Sequence, residues 1–118
     1  MVKKSFPRSS RIADLIKEEV AHLIMNVVND PRVKHVTITQ VNVTNDIKHT
    51  KIFFVTQAGK NKIEATQGLI SAKGFIKKNL ASIMKIRKMP ELEFLYDEVF
   101  ENGLHMESVL KKIKTEEG

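Results

Sequence analysis

Between Lys60 and Lys88 the chain carries Lys73, Lys77, Lys78, Lys85, Arg87 and Lys88, with no acidic residue after Glu64. Such a concentration of fixed positive charge suits one kind of chemistry above others, the neutralisation of a polyanion. Lysines three and four residues apart on a helix repel one another, so the arrangement gains energy only when an anion arrives. A solvated face that serves solubility fits the same charges. Lys3, Lys4, Arg8 and Arg11 near the N-terminus, and Arg32 with Lys34 farther along, are the other cations that could join this surface, although sequence spacing does not bring them together. Seven aromatic residues in 118 leave base stacking a minor contribution, with Phe6 and Phe75 as the possible stackers and core packing as their ordinary role.

Other chemistry finds little support in the residue pattern. His22, His35, His49 and His105 lie far apart with no i, i+4 pair, so no metal site is expected. Without cysteine there is no thiolate zinc site, disulfide or cysteine nucleophile. Gly68 and Gly74 lie inside a helical pattern and are not followed by Lys-Ser or Lys-Thr, which excludes a phosphate-cradling loop for nucleotides. Asp30, Asp46 and Asp97 are the carboxylates that a phosphodiester-cleaving enzyme could use. Each sits beside a turn or an element end, where Asp bonds its own nearby backbone or caps a helix. The expectation is a protein with no catalytic residue and no cofactor, with a small RNA-processing enzyme as the alternative.

These charges need a scaffold, and the apolar pattern supplies one. Ile12, Leu15, Ile16, Val20, Leu23, Ile24, Val27 and Val28 recur at helical spacing behind Ser9 or Ser10 as cap, and Pro31 limits that helix to about Asn29. Val36 to Val43 reads as a strand whose apolar phase changes near Thr39-Gln40, which predicts a bulge. Thr44-Asn45-Asp46 makes a turn into a second strand, Thr50 to Gln57, in an antiparallel hairpin. A helical region follows in which Leu69, Ile76 and Ile83 recur every seven residues, widened by Ile63, Ile70 and Leu80. Gly68 and Gly74 interrupt it, predicting a kink at Ala72 and Gly74 that leaves Lys73, Lys77, Lys85 and Lys88 on one side, opposite Ile76, Leu80 and Ile83. Pro90 ends the region; Glu91 to Asp97 alternates as a third strand, and Val99, Phe100, Met106, Leu110 and Ile113 suggest a last helix.

The expected fold is therefore α+β: a single two-layer domain over residues 1–118, with a small three-stranded sheet and helices packed on one face. Its core spans about 8–98, its C-terminal helix about 99–113, and a frayed tail 114–118. Net charge is unevenly spread. Residues 1–90 hold 17 basic and 6 acidic side chains, or +11, whereas residues 91–118 hold 3 and 8, or −5, for the total of +6. The basic part suits phosphate, and the acidic end suits a partner or a region that nucleic acid avoids. With no apolar run of membrane-spanning length, a soluble, cytoplasmic monomer that does not enter membranes is expected.

The order helix, strand, strand, broken helix, strand resembles the type II KH-like arrangement. KH domains place a GXXG loop between the two helices to clamp a nucleic-acid backbone, whereas this chain has Ser71-Ala72-Lys73-Gly74-Phe75 there. An Ala-X-Gly kink in that position resembles the ribosome-binding factor A family. Pro7-Arg8-Ser9-Ser10-Arg11-Ile12, Asp30-Pro31-Arg32, Val36-Thr37-Ile38-Thr39, Asp46 with Lys51, and Arg87-Lys88-Met89-Pro90-Glu91-Leu92-Glu93-Phe94 before Asp97 are similar to that family in order and spacing. The likeness spans residues 5 to 113. It implies a non-enzymatic bacterial assembly factor that binds the immature small (30S) ribosomal subunit, with a small RNA-processing enzyme or a general RNA-binding ribosomal protein as the alternatives. It further implies contact with 16S rRNA near the neck and decoding region, support for maturation of the rRNA 5′ end, release before translation, and a role in growth in the cold.

Overall fold

A computed structural model describes residues 8–85 and 88–103. α1, Arg8–Asn26, turns Ile12, Ile16, Val20, Leu23 and Ile24 into the core at the i, i+4, i+8 rhythm of a helix face. Ser9 and Ser10 lie inside this helix and do not cap it. Ser9 is buried, its hydroxyl 3.5 Å from the Asn45 side chain across the fold. The buried stripe is narrower than the apolar pattern, because Leu15 and Val27 are exposed. At its C-terminus the Val27 and Val28 amides both donate to Leu23 O. Asp30 then caps a 3₁₀ turn, Pro31–Val33, by accepting from the Arg32 amide, and this turn drives Val33 into full burial.

β1, Val36–Val43, and β2, His49–Thr56, form the expected antiparallel hairpin, with a bulge between Ile38 and Gln40. The bulge explains the phase change in the sequence. Val36 and Ile38 precede it, Val41 and Val43 follow it on the opposite parity, and the extra residue returns all four to the core side. In the connecting turn the Thr44 hydroxyl donates to Asp46 Oδ1 and accepts from the Lys48 and His49 amides. Asp46 also accepts from the Lys48 amide, and these bonds, the Thr44 hydroxyl first, hold its carboxyl below the ordinary Asp range. β3, Glu91–Tyr96, lies parallel to β2, giving the order β1-β2-β3.

The parallel pairing requires a crossover, and α2, Lys62–Met84, provides it. α2 runs unbroken across Ala72 and Gly74, so the expected kink does not divide it into two helices. Glycine costs about 1 kcal/mol in a helix interior, an amount that burial of Ala65, Leu69, Ile76 and Leu80 against the sheet outweighs. Gly68 has a packing reason: a Cβ there would come within 2.8 Å of Val33 Cγ1 and 3.0 Å of Arg32 Cβ. At Gly74 a Cβ would meet nothing within 4 Å. Ile63, Ile70 and Ile83, expected on the buried face, are exposed. The seven-residue rhythm of Leu69 and Ile76 is real, but the sheet is only wide enough to cover its middle.

One core unites α1, α2 and the inner rows Ile38, Ile52, Phe54, Leu92 and Phe94. Asp97 caps α3, described over residues 98–103, by accepting from the Phe100 amide at 3.0 Å, and it accepts a second bond from the bulge residue Thr39. The expected end of this helix near 113 lies outside the described residues. Lys62 fastens α3 to the start of α2. Its ammonium sits 3.1 Å from Glu101 and 4.4 Å from the centroid of the Tyr96 ring, while the Tyr96 hydroxyl donates to Glu101 at 2.9 Å.

Candidate nucleic-acid interface

The cations singled out in the sequence occupy three places. Arg8, at the start of α1, and Lys88, in the approach to β3, line one cleft of about 530 Å³ with Lys48 from the β1–β2 turn and His49 at the start of β2. Asp46 and Glu91 share it, so the cleft is positive but not uniformly so. Arg11 is exposed on the first turn of α1.

A second concavity lies at the end of the sheet beside α2, where outer-face residues such as Lys51 and Glu93 and helix-facing ones such as Thr50 and Leu92 both line it. Parallel pairing sets His49 opposite Glu91 and Lys51 opposite Glu93, while the hairpin sets Asn42 opposite Lys51. Polar cross-strand rows result, as on a solvated sheet face. Lys73 reaches this concavity from α2, and Lys77 lies 3.6 Å from Glu91. Both are half-buried flanking residues of α2's core stripe, placed toward β3 and not opposite Ile76 and Leu80 as the spacing suggests. Since α2 ends at Met84, Lys85 is its C-cap in a left-handed conformation and Lys88 lies beyond the helix. The cations are therefore distributed around the α2–β3 junction, not on one helix face. Lys78 points to solvent.

Arg32 lies beside Gly68 and Ser71, in the half of α2 away from Lys88. Its guanidinium grips Asp30 at 2.8 Å and lies 3.4 Å from the Ser71 hydroxyl. The Arg32 hydrogen bonds hold the Asp30 carboxyl below its ordinary range. Lys3, Lys4 and Arg87 lie outside the described residues. Among the described residues, Arg8, Arg11, Lys48, Lys78, Lys85 and Lys88 form no ion pair, and no three His, Asp or Glu side chains gather as a metal site. No described helix is long and apolar enough to cross a membrane.

A family model described as ribosome-binding factor A matches residues 8–110. The chain belongs to the ribosome-binding factor A family. Curated family members named ribosome-binding factor A include one from Nitrosomonas eutropha, 38% identical over 91% of this chain and 92% of its own length. Another, from Desulfatibacillum aliphaticivorans, is 40% identical over 93% of this chain and 90% of its own. Among solved structures, the crystal structure of ribosome-binding factor A from Thermus thermophilus superimposes with a TM-score of 0.67 at 23% identity, covering 75% of this chain and 94% of that one. A Thermus thermophilus ribosome-binding factor A homology model fitted into a cryo-EM map of a 30S complex gives 0.60 at 24% identity, covering 70% and 88%. At these identities the likeness establishes the fold, and it is the small α+β arrangement of this family.

Sequence reasoning passes over Lys48, weighs His49 only as a metal ligand, and takes Lys51 only as part of a resemblance. A signal is present: His49 and Lys51 share a parity in β2, so they share a face of the sheet. What the sequence lacks is the parallel partner strand that sets Glu91 and Glu93 against them. Asp30, Asp46 and Asp97 have the turn and cap roles expected, and Asp46 also lines the cleft that holds His49 and Glu91.

Proposed function

We propose that this chain binds the immature small ribosomal subunit and its 16S rRNA, supporting late maturation and 5′-end processing of that RNA without cutting it. The observation that carries the reading is membership of the ribosome-binding factor A family over residues 8–110, with a relative fitted to a 30S complex. Arg8, Lys48 and Lys88, which form no ion pair among the described residues, and Lys78 on the exposed side of α2 support phosphate contact. Such contacts position a protein on RNA without reading its sequence. The protein acts as a cytoplasmic monomer that favours one rRNA arrangement over its competitors. Its effect is then bounded by differential affinity: each tenfold preference for the immature form shifts that balance by about 1.4 kcal/mol.

Sedimentation of cell extract at low and high salt tests the reading. The protein is expected with immature small subunits, and less of it at high salt; stoichiometric presence on translating ribosomes refutes it. Purified protein incubated with precursor 16S rRNA and Mg²⁺ is expected to leave the RNA intact, and cleavage would establish the processing-enzyme alternative.

A further inference from the structure

Phe75, whose ordinary role is core packing, is 44% exposed. Its ring borders a shallow cleft of about 260 Å³ between the end of α1 and the middle of α2, whose apolar lining is completed by Val27, Val28 and Ala72. Val27 is itself 46% exposed. A single exposed apolar side chain needs no explanation, but here an aromatic face, two valines and an alanine adjoin in one concavity. The polar rim consists of Asn29, Asp30 and Ser71. Arg32 stands at this rim, held rigid by Asp30 and 3.4 Å from Ser71. Gly68 permits that placement, since a side chain at 68 would displace Arg32 and Val33 from α2. Lys78 lies one turn from Phe75 on the exposed side of the helix.

Size limits the occupant. Pockets that enclose drug-sized ligands run to about 300–1,000 Å³, and a docked helix is about 10–12 Å across, so this cleft suits one flat ring system. Charge limits it further: Lys78 lies one turn beyond Phe75 and the Arg32–Asp30 pair stands at the opposite rim, where a phosphate would compete with Asp30 for the guanidinium. We propose that this cleft receives one unpaired base of single-stranded RNA, stacked on Phe75, with Arg32 and Lys78 against the adjoining phosphates. The proposal rests on the RNA-binding reading above and gives it a contact that backbone phosphates alone do not supply. Single-stranded loops are where proteins capture splayed bases on aromatic rings, and stacking tolerates any base.

The test uses the full chain and a short single-stranded RNA carrying 2-aminopurine, whose fluorescence is quenched on stacking, beside binding to purified immature small subunits. Phe75→Leu retains apolar bulk and removes the ring face. It is expected to weaken RNA binding about tenfold and abolish quenching, with the slope of log affinity against log salt unchanged, because stacking releases no counterions. Phe75→Trp is expected to restore both. Wild-type quenching and affinity in Phe75→Leu overturn the proposal, as does a changed salt slope, which would assign the loss to displaced cations. Absence of quenching with the wild-type protein, while particle binding persists, overturns the base site and leaves the ribosomal reading intact. Quenching by the wild type and its loss in Phe75→Leu, without particle binding, support the base site and refute the ribosomal reading.

Discussion

The two glycines of α2 should respond in opposite directions to the same substitution. Replacing a helix-interior glycine by alanine gains about 1 kcal/mol of helix propensity when nothing else changes. At Gly74 nothing else does, since the new Cβ meets no atom within 4 Å, so Gly74→Ala should stabilise by about 0.5–1 kcal/mol. At Gly68 the same methyl group would come within 2.8 Å of Val33 Cγ1 and 3.0 Å of Arg32 Cβ. Val33 is fully buried in a turn capped by Asp30, so it has little room to yield. Overpacking of this kind costs about 1–3 kcal/mol, which exceeds the propensity gain and leaves Gly68→Ala roughly 1 kcal/mol less stable than the parent. The two variants then differ by about 2 kcal/mol, or about 8 °C in melting temperature at roughly 4 °C per kcal/mol for a domain near 100 residues. Thermal unfolding followed by circular dichroism measures this directly. Equal melting temperatures, or a more stable Gly68→Ala, would refute the assignment of Gly68 as the packing glycine and Gly74 as the free one.

Two other consequences concern charge. Replacing Lys73, Lys77 and Lys78 together by Glu should weaken binding to immature small subunits and lower the log–log salt slope by up to about 2–3 units, near 0.7–0.9 for each phosphate no longer neutralised; filter binding across a salt series checks it, and an unchanged slope removes these lysines from the interface. Glu101→Gln should release α3 from Lys62 and Tyr96. Lys62, and then Tyr96, hold the Glu101 carboxyl below its ordinary range, so the stabilisation is complete above the usual carboxylate value of about 4.3 and is lost as pH falls through the lower folded value. The wild type should therefore melt above Glu101→Gln at neutral pH and converge with it in acid; a gap that persists in strong acid refutes the latch.

Much of the scaffold is legible because burial writes a period into sequence. α1, the hairpin and β3 follow from their apolar rhythm, and even the β1 bulge shows as a shift of parity between Ile38 and Val41. Neighbourhood is harder to read. Nothing in a one-dimensional pattern tells which of Leu69, Ile70 and Ile83 the sheet is wide enough to cover, or that α2 survives two glycines because its other residues are well buried. The candidate interface is legible in composition and not in geometry. Spacing alone puts Lys73 and Lys77 in a stripe on a helix, whereas the parallel β2–β3 pairing sets Glu91 beside Lys77 and His49. Phe75 goes the other way: a residue type that usually packs inward is placed outward by the end of α1.

The bulge in β1 also bears on how this sheet meets other copies of itself. With the order β1-β2-β3, β1 and β3 are the outer strands among the described residues, and the free amides and carbonyls of an outer strand are the template on which a second chain could add and begin an aggregate. β1 interrupts that template midway, where the extra residue between Ile38 and Gln40 breaks the ladder and Thr39 is drawn away to Asp97. β3 answers it with Glu91 and Glu93, two exposed carboxylates of one sign along the opposite rim. Among the described residues this three-stranded sheet does not close into a barrel, and its borders are neither straight nor neutral, which leaves a second copy no ready strand to extend.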